Sequence, residues 1–263
     1  MKRKTVVAAA GIIAAGMAGF AAAGPDNVKY PASYLKGTLY ATVDRPDIKQ
    51  YRELYASPGV LDAVRAGKPI SSGAAITMVQ WSVHQNANGV PARGSDGRFI
   101  KKDILAQFVM EKRSGWGAGY PDSLRNGEWE YAVFLPNGDF NPKPDYKSCF
   151  ECHKPHAKMD FVMTHSKLAG KFPDASTLAK APKGDVNIAS FAFMPAKIAA
   201  TVGRPLKFLN ADDSPHWIVV PGAAQKTEVL LRGQTSAITF EKAGTYDYVC
   251  GLHPSMKGSI EVK

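Results

Sequence analysis

The chain has 263 residues, of which 45% are hydrophobic and 21% charged, so it contains enough apolar material for packed cores. At roughly 100–200 residues per domain, this length suggests two domains. The composition excludes wholesale disorder and collagen-like repeats, and only three cysteines occur, too few for a disulfide scaffold. The formal charge of +10 suits an acidic partner protein or a small anion, whereas the scattered lysines argue against nucleic acid.

The first 23 residues have the pattern of a secretory signal peptide. Residues 2–4 are basic, residues 6–20 are apolar and rich in small side chains, and residues 21–23 form an A-x-A cleavage site. We predict cleavage near Ala23, which lowers the net charge from +10 to +7 by removing three cations. The mature protein is then expected in the periplasm, with no membrane segment.

The rest of the chain divides by composition into three segments. Residues 24–170 are interpreted as an α+β domain with an antiparallel sheet, helical over residues 47–66 and with strands over 75–81, 104–110 and 129–135. Residues 171–184 contain two prolines, several lysines and little apolar matter, which predicts a linker. Residues 185–263 hold eight short strand-like runs separated by turn residues, which predicts a β-sandwich. The fold class is therefore mainly β.

The segment Cys149-Phe150-Glu151-Cys152-His153 matches C-x-x-C-H, the attachment motif for c-type haem. In this motif two cysteine thioethers anchor the porphyrin, and the adjacent histidine binds the iron. A redox dithiol would favour a βαβ context and would not need His153. We predict covalent haem c held by Cys149, Cys152 and His153.

The residue opposite His153 decides what the iron can do. A second protein ligand would indicate an electron carrier, whereas an open position binds small molecules. The candidates His84, His156 and His165 are more commonly solvated or satisfied in a core than bound to iron. We therefore expect five-coordinate iron.

Residues 28–168 resemble the cytochrome P460 / cytochrome c′-beta family. The resemblance implies a mainly antiparallel sheet and a five-coordinate haem, and it allows a homodimer or a higher oligomer. Cytochromes P460 oxidise hydroxylamine, whereas c′-beta members bind nitric oxide and related gases. The matching segments are Tyr51-Arg52-Glu53-Leu54-Tyr55, Ser57-Pro58, Gly67-Lys68-Pro69, Phe108-Val109-Met110, Trp116-Gly117, the haem motif and Asp160-Phe161-Val162-Met163-Thr164.

The chain departs from this family at one position. Cytochromes P460 carry a lysine joined covalently to the haem, which by alignment would fall within residues 76–80. Met78 stands there instead, and Lys68, Lys101 and Lys112 are the alternatives.

Hydroxylamine oxidation also requires a general base near the iron. The carboxylate candidates are Glu111, Glu128 and Glu130, which lie on or beside predicted strands. Arg52 is a candidate for the haem pocket or a haem propionate. The alternative interpretation is that the carboxylates belong to the surface and that Arg52 forms a structural ion pair.

The second half of the chain contains a set of copper-type ligands. Cys250-Gly251-Leu252-His253-Pro254-Ser255-Met256 has the pattern C-x-x-H-x-x-M, and His216 supplies a second imidazole. One thiolate, two imidazoles and a weak thioether are the ligands of type 1 copper. We predict a type 1 copper site at His216, Cys250, His253 and Met256.

Residues 185–263 also resemble the cupredoxin family, and its amicyanin members most closely. Residues 246–250, His253-Pro254 and Met256 match the ligand loop, and residues 210–216 match the segment of the first histidine. The resemblance implies a Greek-key β-sandwich. Leu252 stands where amicyanin has proline, so its N–H could donate to the Cys250 sulfur and raise the copper potential.

Together these motifs predict a periplasmic haem–copper redox protein. The haem would bind or transform nitric oxide or hydroxylamine, and the copper would relay electrons to or from it and to a redox partner protein. Two alternatives stay open: a pure electron-transfer protein, and a gas-binding or scavenging protein without turnover. Whether the chain is an enzyme is left open.

Overall fold

A computed structural model describes residues 24–170, 184–212 and 214–263. The predicted signal peptide, and all but the last residue of the predicted linker, lie outside the described residues. None of the helices within the described ranges has the length and apolar character needed to cross a bilayer.

Residues 38–134 form one antiparallel sheet in the order β1-β2-β3-β4-β5, which we call the N-terminal sheet. Each strand pairs with the next along the chain. The strands are β1 (Thr38–Arg45), β2 (Gln50–Ala56), β3 (Ala75–Val83), β4 (Lys101–Lys112) and β5 (Trp129–Phe134). The α-helices are α1 (Val60–Arg65), α2 (Tyr146–His153) and α3 (His165–Leu168), and short 3-10 helices cover Pro25–Asn27, Tyr34–Lys36, Trp116–Gly119 and Lys154–Met159.

The helix predicted over residues 47–66 is wrong for most of its length. Residues 50–56 form strand β2, and only residues 60–65 are α-helical. Tyr51, Glu53 and Tyr55 are all buried, which is the two-residue repeat of a strand rather than a helical spacing. Pairing with β1 on one side and β3 on the other stabilises this segment as a strand.

The face of the N-terminal sheet that packs against α2 is called the helix face. Its core contains alternating residues of β2 to β5 together with a helix residue: Ala56, Ile76, Met110, Tyr131 and Phe150. The opposite face, called the outer face, carries separate apolar clusters, one of which contains Val109 and Trp116.

Strand register divides the helix face into three rows. The first row is the core under α2. The second row, two residues further along each strand, contains Leu54, Met78, Phe108 and Val133. The third row contains Val43, Arg52, Gln80 and Ala106. Arg52 lies four positions before Ala56 along β2, so the two Cα atoms are about 13 Å apart.

Residues 186–262 form two packed sheets with the orders β11-β10-β13-β14-β8 and β12-β9-β6-β7, and we call this unit the sandwich. The predicted β-sandwich is confirmed. The strands are β6 (Val186–Ala189), β7 (Ala192–Met194), β8 (Lys197–Ala200), β9 (Leu206–Asn210), β10 (Ile218–Val220), β11 (Gln225–Lys226), β12 (Thr235–Ile238), β13 (Gly244–Cys250) and β14 (Lys257–Val262), with a 3-10 helix at Pro221–Ala223. Fully buried side chains fill its core, among them Val186, Phe208, Ile218, Tyr248 and Ile260.

The sandwich contacts the β1–β2 hairpin of the N-terminal sheet. Val43 packs against the sandwich core, and the guanidinium of Arg45 lies 4.3 Å from the ring centroid of Phe191. Ser255 Oγ donates a hydrogen bond of 2.6 Å to Asp47 Oδ2. Arg45 donates two further hydrogen bonds, of 2.8 and 2.7 Å, to the same carboxylate. The sandwich therefore covers the third row of the helix face at its β1 end.

Candidate metal centres

Helix α2 carries both cysteines of the C-x-x-C-H motif and His153. Asp145 caps the helix by accepting a hydrogen bond from the amide of Lys147. Near the other end, Asn126 Nδ2 donates to the carbonyl of Phe150 at 2.9 Å. Cys149 and Cys152 are free thiols of intermediate burial, so both remain available for thioether formation.

His153 is oriented by a backbone carbonyl. Its Nδ1 lies 2.7 Å from the oxygen of Phe161, which leaves Nε2 free to bind a metal, because metal-binding histidines commonly donate their other ring N–H to a carbonyl or carboxylate. Burial, outweighing that hydrogen bond, lowers the pKa of His153 to about 4 and favours the neutral imidazole. Two cysteines outside any disulfide and one neutral imidazole on a single helix fit covalent attachment of haem.

The turn that presents the Phe161 carbonyl is held by Asp160. Asp160 and Phe161 both have left-handed backbone angles, with φ of 51° and 59°, a conformation that costs free energy outside glycine. Lys112 Nζ binds both carboxylate oxygens of Asp160, at 2.9 and 2.7 Å. Trp129 Nε1 donates to Oδ1 at 3.2 Å. Lys112 and Trp129 therefore stabilise the turn that orients His153.

Replacement of Asp160 by asparagine tests this arrangement, because asparagine tolerates the same backbone angles but carries no charge. We expect the free energy of unfolding to fall by about 1.5–3 kcal/mol, the contribution of hydrogen bonds to charged groups. The haem reduction potential should shift as well, since His153 loses its fixed orientation. Denaturant titration and potentiometry measure the two effects. Asp122→Asn, at an exposed position, is the control and should change neither.

The second row of the helix face is lined by Met78 and Phe108, which are only partly buried. Met78 therefore lies on the face that α2 covers. Of the three candidate lysines, Lys112 lies on the helix face but is paired with Asp160. Lys68 is exposed, and Lys101 pairs with Glu53.

The three histidines considered as sixth ligands occupy different environments. His84 is exposed, and His165 begins α3 with intermediate burial. His156 is 2% exposed, so it does not face solvent. Its Nε2 is buried without a hydrogen-bond partner.

Among the catalytic candidates, Glu111 and Glu130 lie side by side as paired residues of β4 and β5, whereas Arg52 lies on the other face of the sheet. Glu111 and Glu130 alternate with Met110 and Tyr131, so they lie on the outer face. Glu111 binds Arg113 at 2.6 Å. Burial is the main factor that raises the pKa of Glu130.

Glu130 accepts hydrogen bonds from the amide of Gly24 at 2.9 Å and from Tyr120 Oη at 2.5 Å. The two remaining candidates, Glu128 and Arg52, lie elsewhere. Glu128 pairs with Arg125 at 3.3 Å. Of the residues considered for the pocket, Arg52 lies on the helix face.

His216, Cys250 and His253 present three buried donor atoms to one point. His216 Nδ1 lies 3.4 Å from Cys250 Sγ and 3.2 Å from His253 Nδ1, and Cys250 Sγ lies 3.8 Å from His253 Nδ1. Three donors bound at about 2.0–2.3 Å in a trigonal plane would be about 3.5–3.8 Å apart. The spacing fits a single small metal ion, and the donor set fits copper.

The scaffold around these donors comes from several elements. His216 exchanges backbone hydrogen bonds with Leu230 at 3.0 and 2.6 Å, and Cys250 ends β13. The amide of Met256 donates to the carbonyl of His253, and the amide of Cys250 donates to the carbonyl of Met256. Met256 is 2% exposed, so the ligand loop is closed and buries its methionine.

Electrostatics at this centre lower the pKa of Cys250 and the pKa of His253. Burial alone would raise the pKa of Cys250, but the hydrogen bond and charge of His216 outweigh it and lower that pKa. Burial, then the charges of His216, Arg45 and Arg52, lower the pKa of His253. Asp212 Oδ2 lies 3.1 Å from His216 Nε2, which fixes the tautomer that leaves Nδ1 free for a metal.

Backbone hydrogen bonds from Trp217 and His253 contribute to the lowered pKa of Cys250. Donation from the Leu252 N–H to the sulfur stays a prediction. One of the eight strand-like runs in the sequence covers residues 228–231, but this run is not a strand in the structure: Leu230 forms only an isolated bridge with His216.

Gly251 makes a close contact that fixes the ligand loop. A Cβ at this position would overlap the indole of Trp217, lying 2.7 Å from its Cδ1. We expect Gly251→Ala to destabilise the protein by about 1–3 kcal/mol, as overpacking does, and to perturb the copper absorption. The control is Gly222→Ala, whose Cβ would lie at an ordinary 3.7 Å from Tyr246 Cδ1. Denaturant titration of the two variants compares their free energies of unfolding. An equally stable Gly251→Ala would show that the loop is not tightly packed.

Comparison with known proteins assigns both halves of the chain. The family model for cytochrome P460 matches residues 31–164, and that for a cupredoxin-like domain matches residues 161–262. The chain belongs to the cytochrome P460 family. Its C-terminal part belongs to the cupredoxins. The two domains imply haem and copper, and together they make this member of the cytochrome P460 family a haem–copper redox protein.

Curated relatives and solved structures match the cupredoxin part. Amicyanin-alpha of Methylorubrum extorquens is 33% identical over 108 residues, 39% of this chain and 90% of that protein. Amicyanin of Paracoccus denitrificans is 32% identical over 100 residues, 35% of this chain and 76% of that protein.

Among solved structures, a copper(I) form of an amicyanin variant is 29% identical, covers 33% of this chain and 89% of that chain, and has a TM-score of 0.30. A copper-containing nitrite reductase from Thermus scotoductus is 32% identical, covers 30% of this chain and 21% of that chain, and has a TM-score of 0.28.

Proposed function

We propose that this protein is a periplasmic redox protein in which small nitrogen species, nitric oxide or hydroxylamine, meet a covalent haem c and a type 1 copper site exchanges electrons with it. Periplasmic location follows from the signal-peptide pattern of residues 1–23 and from the export that haem c attachment requires. With hydroxylamine the copper site is the internal acceptor, and with nitric oxide reduction it is the donor.

The residues that hold the two groups are those of the two ligand motifs. Cys149 and Cys152 form the thioethers, and His153 binds iron through Nε2. His216, Cys250, His253 and Met256 hold copper. When bound, the haem supplies a position for a small ligand, and the copper supplies a one-electron centre with a preorganised ligand set.

One arrangement carries the proposal: the haem motif and the sandwich lie at opposite ends of the same sheet face. Helix α2 packs on its first row, and the sandwich reaches its third row at Val43. His253 is 9% exposed, and its ring packs at 5.0 Å against Phe191, which in turn lies under Arg45 of β1. The histidine side of the copper site is thus turned toward the N-terminal sheet, which favours internal electron exchange.

The side chains of the second row, between the two sites, are apolar and carry no proton-transfer group. Leu54 is buried in the second row, and Met78 and Phe108 extend that row across the helix face. Glu111 and Glu130 lie on the other face, so neither is proposed as a base at the iron.

Anaerobic optical spectroscopy of the protein carrying both groups tests the proposal. We expect a five-coordinate haem that binds nitric oxide, and stopped-flow mixing with hydroxylamine should reduce the copper. A low-spin six-coordinate haem that ignores nitric oxide would favour a pure electron carrier. Nitric oxide binding without any copper redox change would favour a scavenging protein. A strongly red-shifted Soret band would indicate a lysine-linked haem.

A further inference from the structure

Arg52 occupies the third row of the helix face, between the haem-attachment helix and the sandwich. On one side it pairs in register with Val43, which packs against the sandwich core. On the other side it pairs with Gln80, and Leu54 separates it from the first row along β2. The Nε of Arg52 is buried and has no hydrogen-bond partner.

The charge of Asp47 favours the charged form of Arg52, but Asp47 forms no salt bridge with it. Asp47 already accepts hydrogen bonds from Arg45 on both carboxylate oxygens, and its Oδ2 also accepts one from Ser255. Burial, followed by the like charge of Arg45, lowers the pKa of Arg52 to about 9. Arg52 has no salt bridge to any carboxylate in the described part of the chain.

Arg52 as a residue is half-buried, and an arginine whose Nε is buried without a partner is costly, because such groups are normally paired. The forked guanidinium of arginine matches a carboxylate in a two-point hydrogen bond. Haem carries two propionate carboxylates, and the helix face beside Arg52 is the face on which the haem-attachment helix packs. The guanidinium of Arg52 and a haem propionate therefore have complementary chemistry.

We propose that Arg52 binds a propionate carboxylate of the haem and thereby fixes the edge of the haem next to the sandwich. The inference rests on the proposed function in that it requires haem on the helix face. Arg52 acts as a positioning residue, because it touches the carboxylate at the haem edge and not the iron. Its charge also reaches His253, so the same side chain lies in the electrostatic field of both centres.

The test compares Arg52→Gln and Arg52→Lys in protein that carries haem and copper, with Arg204→Gln, at an exposed position, as the charge-matched control. In redox-difference infrared spectra of protein with ¹³C-carboxylate-labelled haem, we expect the labelled carboxylate band to shift in Arg52→Gln. The haem reduction potential should fall, because an unpaired propionate stabilises ferric iron. Arg52→Lys should restore most of the potential, and Arg204→Gln should change neither readout.

Unchanged labelled bands in Arg52→Gln would overturn the proposal. It would also be overturned if chloride or nitrate shifted the haem potential of the wild type but not of Arg52→Gln, because Arg52 would then hold an exchangeable anion. If Arg52→Gln fails to load haem, Arg52→Lys decides. Its different hydrogen-bond geometry should shift the labelled carboxylate band in part, and a spectrum identical to that of the wild type would overturn the proposal. Stopped-flow exchange between haem and copper in the wild type tests the proposed function separately, so either idea can fail alone.

Discussion

Replacing Cys250 by serine is expected to abolish the intense visible absorption of the oxidised copper site, because that absorption arises from the thiolate–copper bond. The hydroxyl of serine stays protonated at neutral pH, and its oxygen is a poor ligand for a soft metal site. Copper affinity should fall strongly, and hydroxylamine or nitric oxide should no longer cause any redox change at copper. Metal analysis, visible spectra and stopped-flow mixing measure these three losses.

The control for this variant lies in the other half of the chain. Cys149→Ser should remove one haem thioether and leave the copper absorption intact, while Cys250→Ser should leave the haem spectrum and nitric oxide binding intact. If Cys250→Ser kept the full visible copper absorption, the copper assignment would be wrong. If hydroxylamine still caused a rapid redox change in the copper-free Cys250→Ser protein, the relay role of the copper would be wrong.

Breaking the contact between Asp47 and Ser255 is expected to slow internal electron exchange. Charge-assisted hydrogen bonds contribute about 1.5–3 kcal/mol each. Losing one should lower the equilibrium constant for docking of the sandwich on the β1–β2 hairpin by about 10- to 100-fold, at 1.4 kcal/mol per factor of ten. Ser255→Ala removes only the contact between the two units, whereas Asp47→Asn also removes the charge that Arg45 binds. Flash photolysis of partly reduced protein measures the exchange rate.

Ser236→Ala, on β12 of the sandwich, is the matched control and should leave the rate unchanged. An unchanged rate in both Ser255→Ala and Asp47→Asn would show that docking at this contact does not govern exchange.

Burial alone would raise the pKa of Asp47, but hydrogen bonds from Arg45 and Ser255 outweigh it and hold the pKa below its usual value.

The acid dependence of stability follows from that pKa. The contribution of Asp47 is present above the unfolded pKa, about 3.9, and is lost as pH falls through the lower native value. Asp47→Asn should lack this part of the acid destabilisation, which denaturant titration at several pH values would detect.

The haem motif and the copper ligand loop could be recognised in the sequence because their members lie close together in the chain, whereas His216 lies 34 residues before Cys250. Cys149, Cys152 and His153 share one helix, and Cys250, His253 and Met256 share one loop. Ligands that must lie within a few residues of one another can be recognised from a short stretch of sequence. The cupredoxin sandwich could also be predicted, because its short strands and turns recur regularly.

Features that depend on tertiary pairing could not be predicted in the same way. Tyr51, Leu54 and Tyr55 fit a helical spacing as well as a strand, and only pairing with β1 and β3 decides between them. Adjacent residues such as Met110 and Glu111 must point to opposite faces, but the sequence does not show which face α2 covers. The contact of Asp47 with Ser255 joins residues 208 positions apart, and no local pattern indicates it.

The nearly complete burial of His253, whose ring packs on Phe191 beneath Arg45 of the β1–β2 hairpin, has a consequence for the kinetics of the intact chain. A tethered partner acts at an effective concentration in the millimolar range for short linkers, far above that of most freely diffusing carriers. Electron exchange inside this molecule should therefore be first order, with a rate that dilution does not change. A separate carrier protein would have to approach the copper through another side of the sandwich or wait for the hairpin to release it.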